Sequence, residues 1–265
     1  MDSLKLVELE KIIKSYKKVI VAFSGGVDSS FILYYSVKIL GYENVLAVVG
    51  VSQTYTEDEL KNAKNFSDKL NVKLIEVNTN EFDDQNFINN TKDRCYYCKR
   101  ELYSAISKIA KDSKIDTIID GSNYSDITDY RPGKKASSEY GVKSPLVDTK
   151  ITKDEIRIFL KNENIDFYDK PANPCLASRI PYNQKITKEK LIAIEKGETF
   201  LKSLGFKIVR VRHHDLIARI EIDKNDFTKI INEEARYKIT EYFKTLGFIW
   251  TTLDLTGYEM GSLNK

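Results

Sequence analysis

Three cysteines are the residues with the most chemistry on offer in this 265-residue chain. Cys95 and Cys98 sit in the string Arg94-Cys95-Tyr96-Tyr97-Cys98-Lys99-Arg100, and Cys175 stands far downstream in Asn173-Pro174-Cys175-Leu176-Ala177-Ser178-Arg179. Thiols at i and i+3 near a helix start face one side. An odd count cannot pair completely within the chain, and three cysteines exclude a disulfide scaffold. The residues alone leave four readings open. Structural zinc wants four ligands, and there is no fourth cysteine. A CxxC redox pair leaves Cys175 unexplained. Inert buried thiols fit poorly with polar, charged surroundings. An iron–sulfur cluster takes thiolates, usually four, so three would leave one iron open. The only histidines, His213 and His214, are adjacent, and neighbours on a strand point to opposite faces, which argues against a shared metal.

The second chemical feature is Ser24-Gly25-Gly26-Val27-Asp28-Ser29-Ser30, between an apolar run at 18–23 and a helical run at 31–40. Two glycines let the backbone approach an anion closely. Ser24, Ser29 and Ser30 offer hydroxyls, and the helix start supplies free N–H groups and a positive dipole end. The string lacks the Gly-Lys-Ser/Thr of a Walker loop. Asp28 is expected either to assist Mg²⁺ and loop geometry or to cap the helix. Ser52 and Gly121, at the ends of two further strand runs, complete the expected nucleotide-binding set.

These residues need a scaffold, and the hydrophobic pattern supplies one. Apolar runs at 18–23, 45–51, 72–77 and 116–121 read as strands. Helical patterns at 4–17, 31–40, 57–70, 95–110 and 151–162 alternate with them, the last opened by a capping box at Thr152–Glu155. Residues 80–90 are polar and ambiguous. This alternation predicts an α/β fold with a doubly wound, mostly parallel sheet. The texture changes near residue 170, where a proline-bearing loop follows. A helix at 187–204, strands at 207–211 and 216–222, a largely helical stretch at 227–243 and a strand at 248–253 predict a smaller α+β domain. The expected boundaries are 1–170, a cysteine-bearing linker at 171–186, and 187–265.

Composition narrows the function classes. At 42% hydrophobic and 31% charged, the chain is globular rather than disordered. No apolar run is long enough to span a bilayer and no export signal is evident, so a cytoplasmic protein with reduced thiols is expected. A net charge of +3 is too balanced to mark a nucleic-acid binder. Only nine arginines stand against 33 lysines, so arginine is expected where planar fork geometry matters. Arg210 and Arg212 alternate on one strand and could grip a substrate phosphate, the alternative being a solvated strand face. Arg179 with Ser178, beside Cys175, could bind substrate or anchor the loop.

The string SGGVDSS in strand-to-helix context resembles the pyrophosphate loop of the N-type ATP pyrophosphatases. Further strings resemble the LarE family, sulfur-insertion enzymes of nickel-pincer nucleotide cofactor biosynthesis: RCYYCKRELY (94–103), DGSN (120–123), DYRPG (129–133), PCLASRIPY (174–182), VRVRHHDLIARIEI (209–222) and TLDLTGYEMGSLN (252–264). The resemblance implies an ATP-dependent sulfurtransferase. With ATP and Mg²⁺, it would adenylate a carboxylate of pyridinium-3,5-biscarboxylic acid mononucleotide, release pyrophosphate and install a thiocarboxylate. It further implies a homo-oligomer, a small nucleotide substrate, and a family glutamate near that substrate at Glu198. Some family members carry one cysteine, at the position of Cys175, and surrender its sulfur. Others carry three and are similar to enzymes with a 4Fe–4S cluster. Cys95, Cys98 and Cys175 align this chain with the latter as metal ligands, sulfide or another sulfur donor being the partner. A transfer RNA thiolase would call for a more basic chain, and for an amide-forming ligase the cysteines would be incidental.

Overall fold

A computed structural model of the chain describes residues 3–127, 132–165, 167–168 and 174–259. Residues 129–131 of the DYRPG string, 171–173 of the proline-bearing linker and residues 260–264 of the last family string lie outside the described residues. The chain divides into two compact units, Met1–Phe87 with Lys92–Asn173, and Ile88–Thr91 with Pro174–Lys265.

The first unit begins α1 (Ser3–Tyr16), β1 (Val19–Ala22), α2 (Val27–Leu40), β2 (Val45–Val51), α3 (Glu57–Lys69) and β3 (Lys73–Asn78). It continues α4 (Gln85–Ile88), α5 (Arg94–Ser113), β4 (Ile118–Ile119), α6 (Gly133–Glu139), α7 (Pro145–Asp148) and α8 (Lys153–Asn162). The sheet is parallel in the order β3-β2-β1-β4, with Val19 opposite Val45, Ile20 opposite Ile118 and Leu46 opposite Lys73. Parallel strands covered on both faces read as continuous apolar runs, and all four residues of β1 are buried. Alternate side chains feed two cores. Val19, Val21 and Phe23 pack with Leu9, Phe31, Phe66 and Ile156. Ile20 and Ala22 pack with Tyr103, Ile106 and Ala136 on the other face. The expected doubly wound sheet is therefore present.

Two boundaries differ from the sequence expectation. β4 is only two residues, because Asp120 turns its carboxylate into side-chain hydrogen bonds and Gly121 runs against α2. α6 and α7 fall in a stretch with no predicted element. Helices of seven and four residues are too short to show a hydrophobic period.

The second unit contains α9 (Lys188–Ser203), β5 (Val209–His214), β6 (Ile217–Ile222), α10 (Phe227–Ile230), α11 (Glu233–Thr245) and β7 (Trp250–Leu253). β5 and β6 are antiparallel, with His214 opposite Ile217, and β7 adds parallel to β6. Asp215 takes the left-handed conformation in the tight turn, φ 54°. Leu201, Phe206, Val209, Val211, Ile220 and Phe243 form the core. Residues 88–91 join this unit through bonds such as Ile186 N–H to Ile88 O and Asn90 Nδ2 to Pro181 O, a pairing invisible in the local sequence.

Candidate active site

In the first unit, β1 has β2 on one side and β4 on the other. The loops leaving β1 and β4 therefore diverge at the carboxyl edge of the sheet, where open α/β folds bind ligands. Ser24–Gly26 leaves β1 at that edge, Ser52 follows β2, and Gly121 lies just beyond β4. Gly25 has φ 67°, and a Cβ there would come within 3.2 Å of the Tyr55 hydroxyl, so both conformation and space require glycine. Tyr55 donates to the Ser24 carbonyl at 2.9 Å, and burial raises its phenol well above the usual range.

The serines divide their work. Ser24 is exposed, and its hydroxyl lies 3.0 Å from that of Ser29. Ser29 also donates to Gly26 O at 3.1 Å and accepts from Ser24 N–H, so it braces the loop from inside. Ser30 is fully buried. Of the three serines expected to offer hydroxyls, Ser24 is exposed, whereas the helical turn rotates Ser29 and Ser30 inward. Gly26 is the N-cap of α2, so Asp28 is not the cap; it lies in the first turn, 3.6 Å from Lys153 Nζ on α8.

Gly121 matters by close approach. A Cβ at this position would sit 2.6 Å from Ser29 N and 2.8 Å from Asp28 C, both rigid backbone. Gly121→Ala should therefore destabilise the protein by roughly 1–3 kcal/mol, the range for overpacking. Urea unfolding checks this, and an unchanged midpoint would contradict the close approach. Asp120 beside it accepts from Ser144 Oγ at 2.7 Å, from Ser122 Oγ at 2.9 Å and from Tyr103, whose buried hydroxyl is pushed up to about 12.

Cys95 and Cys98 occupy the first turns of α5, Cys95 exposed and Cys98 half-buried. Cys98 Sγ donates to Glu81 Oε1 at 3.5 Å, and Thr79 Oγ1 donates to the same oxygen at 2.9 Å. Glu81 is 4% exposed, and burial raises its carboxyl pKa. Arg100 is bound to Asp84 at 2.8 Å and lies over the rings of Tyr96 and Tyr97.

In the second unit Cys175 is exposed and precedes a 3₁₀ turn, Leu176–Arg179. Arg179 is fully buried and holds Glu198 with both prongs of its fork, Nε–Oε1 at 2.9 Å and Nη2–Oε2 at 3.1 Å. Its Nη1 donates to the carbonyls of Pro174 and Cys175 and to Ser178 Oγ. Glu198 also accepts from Val211 N–H at 3.1 Å. Of the two roles open to Arg179, the geometry supplies loop anchoring. Glu198 is likewise no exposed helix residue.

Arg210 and Arg212 are both buried on β5, not on a solvated strand face. Arg212 forks onto Glu221 with two bonds of 2.8 Å and donates to Ser178 O at 2.9 Å. Arg210 lies over the Tyr258 ring. Glu221, Glu81, Tyr55 and Lys153 were not picked out by sequence reasoning, since each matters only through a partner distant in the chain.

His213 and His214 part company as expected of strand neighbours. His213 is 8% exposed and packs on Phe248, whereas His214 Nε2 accepts from Arg219. Burial pushes the His213 imidazole down to about 4 from its usual 6.5. Between those values the unfolded chain binds the extra proton. Stability should therefore be complete above about pH 6.5 and fall as the pH drops toward 4. A His213→Leu variant should lose this part of the slope in melting curves taken between these limits; identical slopes would refute it.

Among the described residues, no group of three or more His, Cys, Asp or Glu side chains is arranged to hold a metal ion. Cys95 and Cys98 nevertheless suit two thiolate ligands, and beside Cys98 a buried oxygen, Glu81 Oε2, has no hydrogen-bond partner among the described residues. By donor chemistry the two thiols suit an iron–sulfur centre.

Residues 5–101 match the family described as NAD synthase. Over the whole length the chain is 34% identical to a protein of Lactiplantibacillus plantarum named pyridinium-3,5-bisthiocarboxylic acid mononucleotide synthase, covering 98% of this chain and 94% of that one. The chain belongs to the LarE family. Two uncharacterized relatives have similar coverage: slr1717 of Synechocystis, 36% identical over 98% of this chain and 97% of its own, and MJ0830 of Methanocaldococcus jannaschii, 33% identical over 96% and 97%. This LarE-family chain is an ATP-dependent enzyme. Among its described residues, no helix is long and apolar enough to cross a membrane.

Proposed function

We propose that this enzyme converts pyridinium-3,5-biscarboxylic acid mononucleotide to its thiocarboxylate form. A substrate carboxylate oxygen attacks the α-phosphorus of ATP, and the bond to the β-phosphate oxygen breaks to release pyrophosphate. A sulfur nucleophile then adds to the acyl carbon, the carbon–oxygen bond to AMP breaks, and a thiocarboxylate remains. Two rounds give the dithio product. The observation that carries this function is the full-length relation to the named synthase.

The residues take roles their positions support. Ser24, Gly25, Gly26 and the start of α2 cradle the phosphates, braced by Ser29 and Ser30. Ser52 and Gly121 border the nucleotide, and Asp28 assists Mg²⁺. Arg210, Arg212 and Ser178 serve the substrate phosphate. Arg179 and Glu198 hold the loop that presents Cys175.

Cys95, Cys98 and Cys175 are the thiolates for a 4Fe–4S cluster. When bound, such a cluster offers one iron without a cysteine ligand, where sulfide can be held for transfer. A second reading, favoured by the exposure of Cys175, has that residue give up its own sulfur and become dehydroalanine.

Anaerobic purification separates the two. A brown protein with about four irons, lost in Cys95→Ala, is expected. A colourless protein whose mass falls by one sulfur equivalent after turnover would instead establish Cys175 as the donor. Full activity of Cys175→Ala with added sulfide would overturn both.

A further inference from the structure

The segment after β2 reaches back onto the glycine loop through one side chain. Tyr55 O–H donates to the Ser24 carbonyl at 2.9 Å, from 31 residues further along the chain. On its other side, Ser24 N–H donates to Ser29 Oγ at 3.3 Å. Ser24 is thus held at both ends, by one hydroxyl inside the loop and by one from outside it. Gly25 is what admits the outside one. It has φ 67°, and a Cβ on it would lie 3.2 Å from the Tyr55 hydroxyl, 3.4 Å from Ala63 Cβ and 3.6 Å from the Glu59 carbonyl. Glycine lets the loop lie this close to Tyr55 and α3.

Folding alone does not require this bond. Ser24 is exposed, so water could satisfy its carbonyl. The phenol is nevertheless firmly placed. Tyr55 N–H donates to Ser52 O at 3.1 Å, closing a turn, and Thr56 beside it caps α3 in a capping box with Glu59. Desolvation, and then the Glu59 charge, raise the phenol pKa well above its usual range, so it stays a donor at any physiological pH. A peptide unit is planar and trans, so its C=O and N–H point to opposite sides. Fixing the Ser24 carbonyl on Tyr55 therefore also fixes the direction of the Gly25 N–H. A phosphate cradle depends on such directions, and one set in advance gives up less binding energy to ordering.

We propose that Tyr55 is a positioning residue for ATP: its hydroxyl holds the Ser24–Gly25 peptide in the orientation that receives the phosphates. The assignment rests on the reading of Ser24–Gly26 as the phosphate cradle. Tyr55 acts through the loop, not on the nucleotide itself.

The test is titration calorimetry of MgATP and of AMP against the wild type and Tyr55→Phe, with urea unfolding of both proteins in the absence of ligand. Phenylalanine keeps the ring and removes only the hydroxyl. The variant should bind MgATP roughly three- to tenfold more weakly, the effect of one hydrogen bond, with its AMP affinity unchanged. AMP lacks the outer phosphates, so this split reads the cradle rather than the fold. The variant's unfolding midpoint should match that of the wild type. Equal MgATP affinity in the two proteins, or an equal loss for MgATP and AMP, would overturn the role of Tyr55 while leaving the loop assigned to ATP. A variant without an unfolding transition would make the hydroxyl a folding contact and overturn the role as well. A wild type that binds no MgATP would overturn the loop assignment itself.

Discussion

Asp28→Asn should lower pyrophosphate release from ATP by at least about a hundredfold, equivalent to roughly 2.7 kcal/mol of lost transition-state stabilisation. The residue lies one turn beyond Gly25 and Gly26, at the positive end of α2, where the triphosphate is expected. A carboxylate at this end has no phosphate-binding use of its own, since it would repel the ligand. In the proposed reaction its part is to hold Mg²⁺ or to set the loop against Lys153, 3.6 Å away. Asparagine preserves size and removes the charge on which both uses depend. The fold should survive, because the helix is capped at Gly26. Unchanged release, measured with a coupled pyrophosphate assay, would sink the assignment of this loop to ATP.

Glu198→Ala should destabilise the second unit by about 3–5 kcal/mol, because it leaves the Arg179 guanidinium buried without its carboxylate. Both side chains are nearly inaccessible, 0% and 5% exposed, so solvent screening offers little relief. Arg179→Met should cost a similar amount. The double variant Arg179→Met with Glu198→Leu should cost less than either single change, since no charge is then stranded. Urea unfolding of all three reads this cycle. Because Arg179 also binds the Pro174 and Cys175 carbonyls, every variant should change the rate at which iodoacetamide alkylates Cys175. Single variants costing under about 1 kcal/mol would mean the pair is not the anchor of the loop.

Much of the scaffold was legible before any coordinates. Val19–Ala22 and Val45–Val51 read as buried parallel strands because a strand covered on both faces leaves a continuous apolar run. Thr152 and Glu155 announced the start of α8, and both halves of the capping box are present. β4 was drawn too long and α6 and α7 were missed, since very short elements carry no period to detect.

The site was legible in part. Residue types and spacing alone singled out the glycine loop, the CxxC pair and Cys175, because backbone freedom and thiolate chemistry belong to the residue itself. What each arginine and glutamate does was decided only by tertiary structure. Arg179 meets Glu198, Arg212 meets Glu221, and Cys98 meets Glu81 across elements that no local pattern connects. The physical reason is desolvation: a charge taken out of water must find its partner in the folded chain, and that partner is chosen by packing.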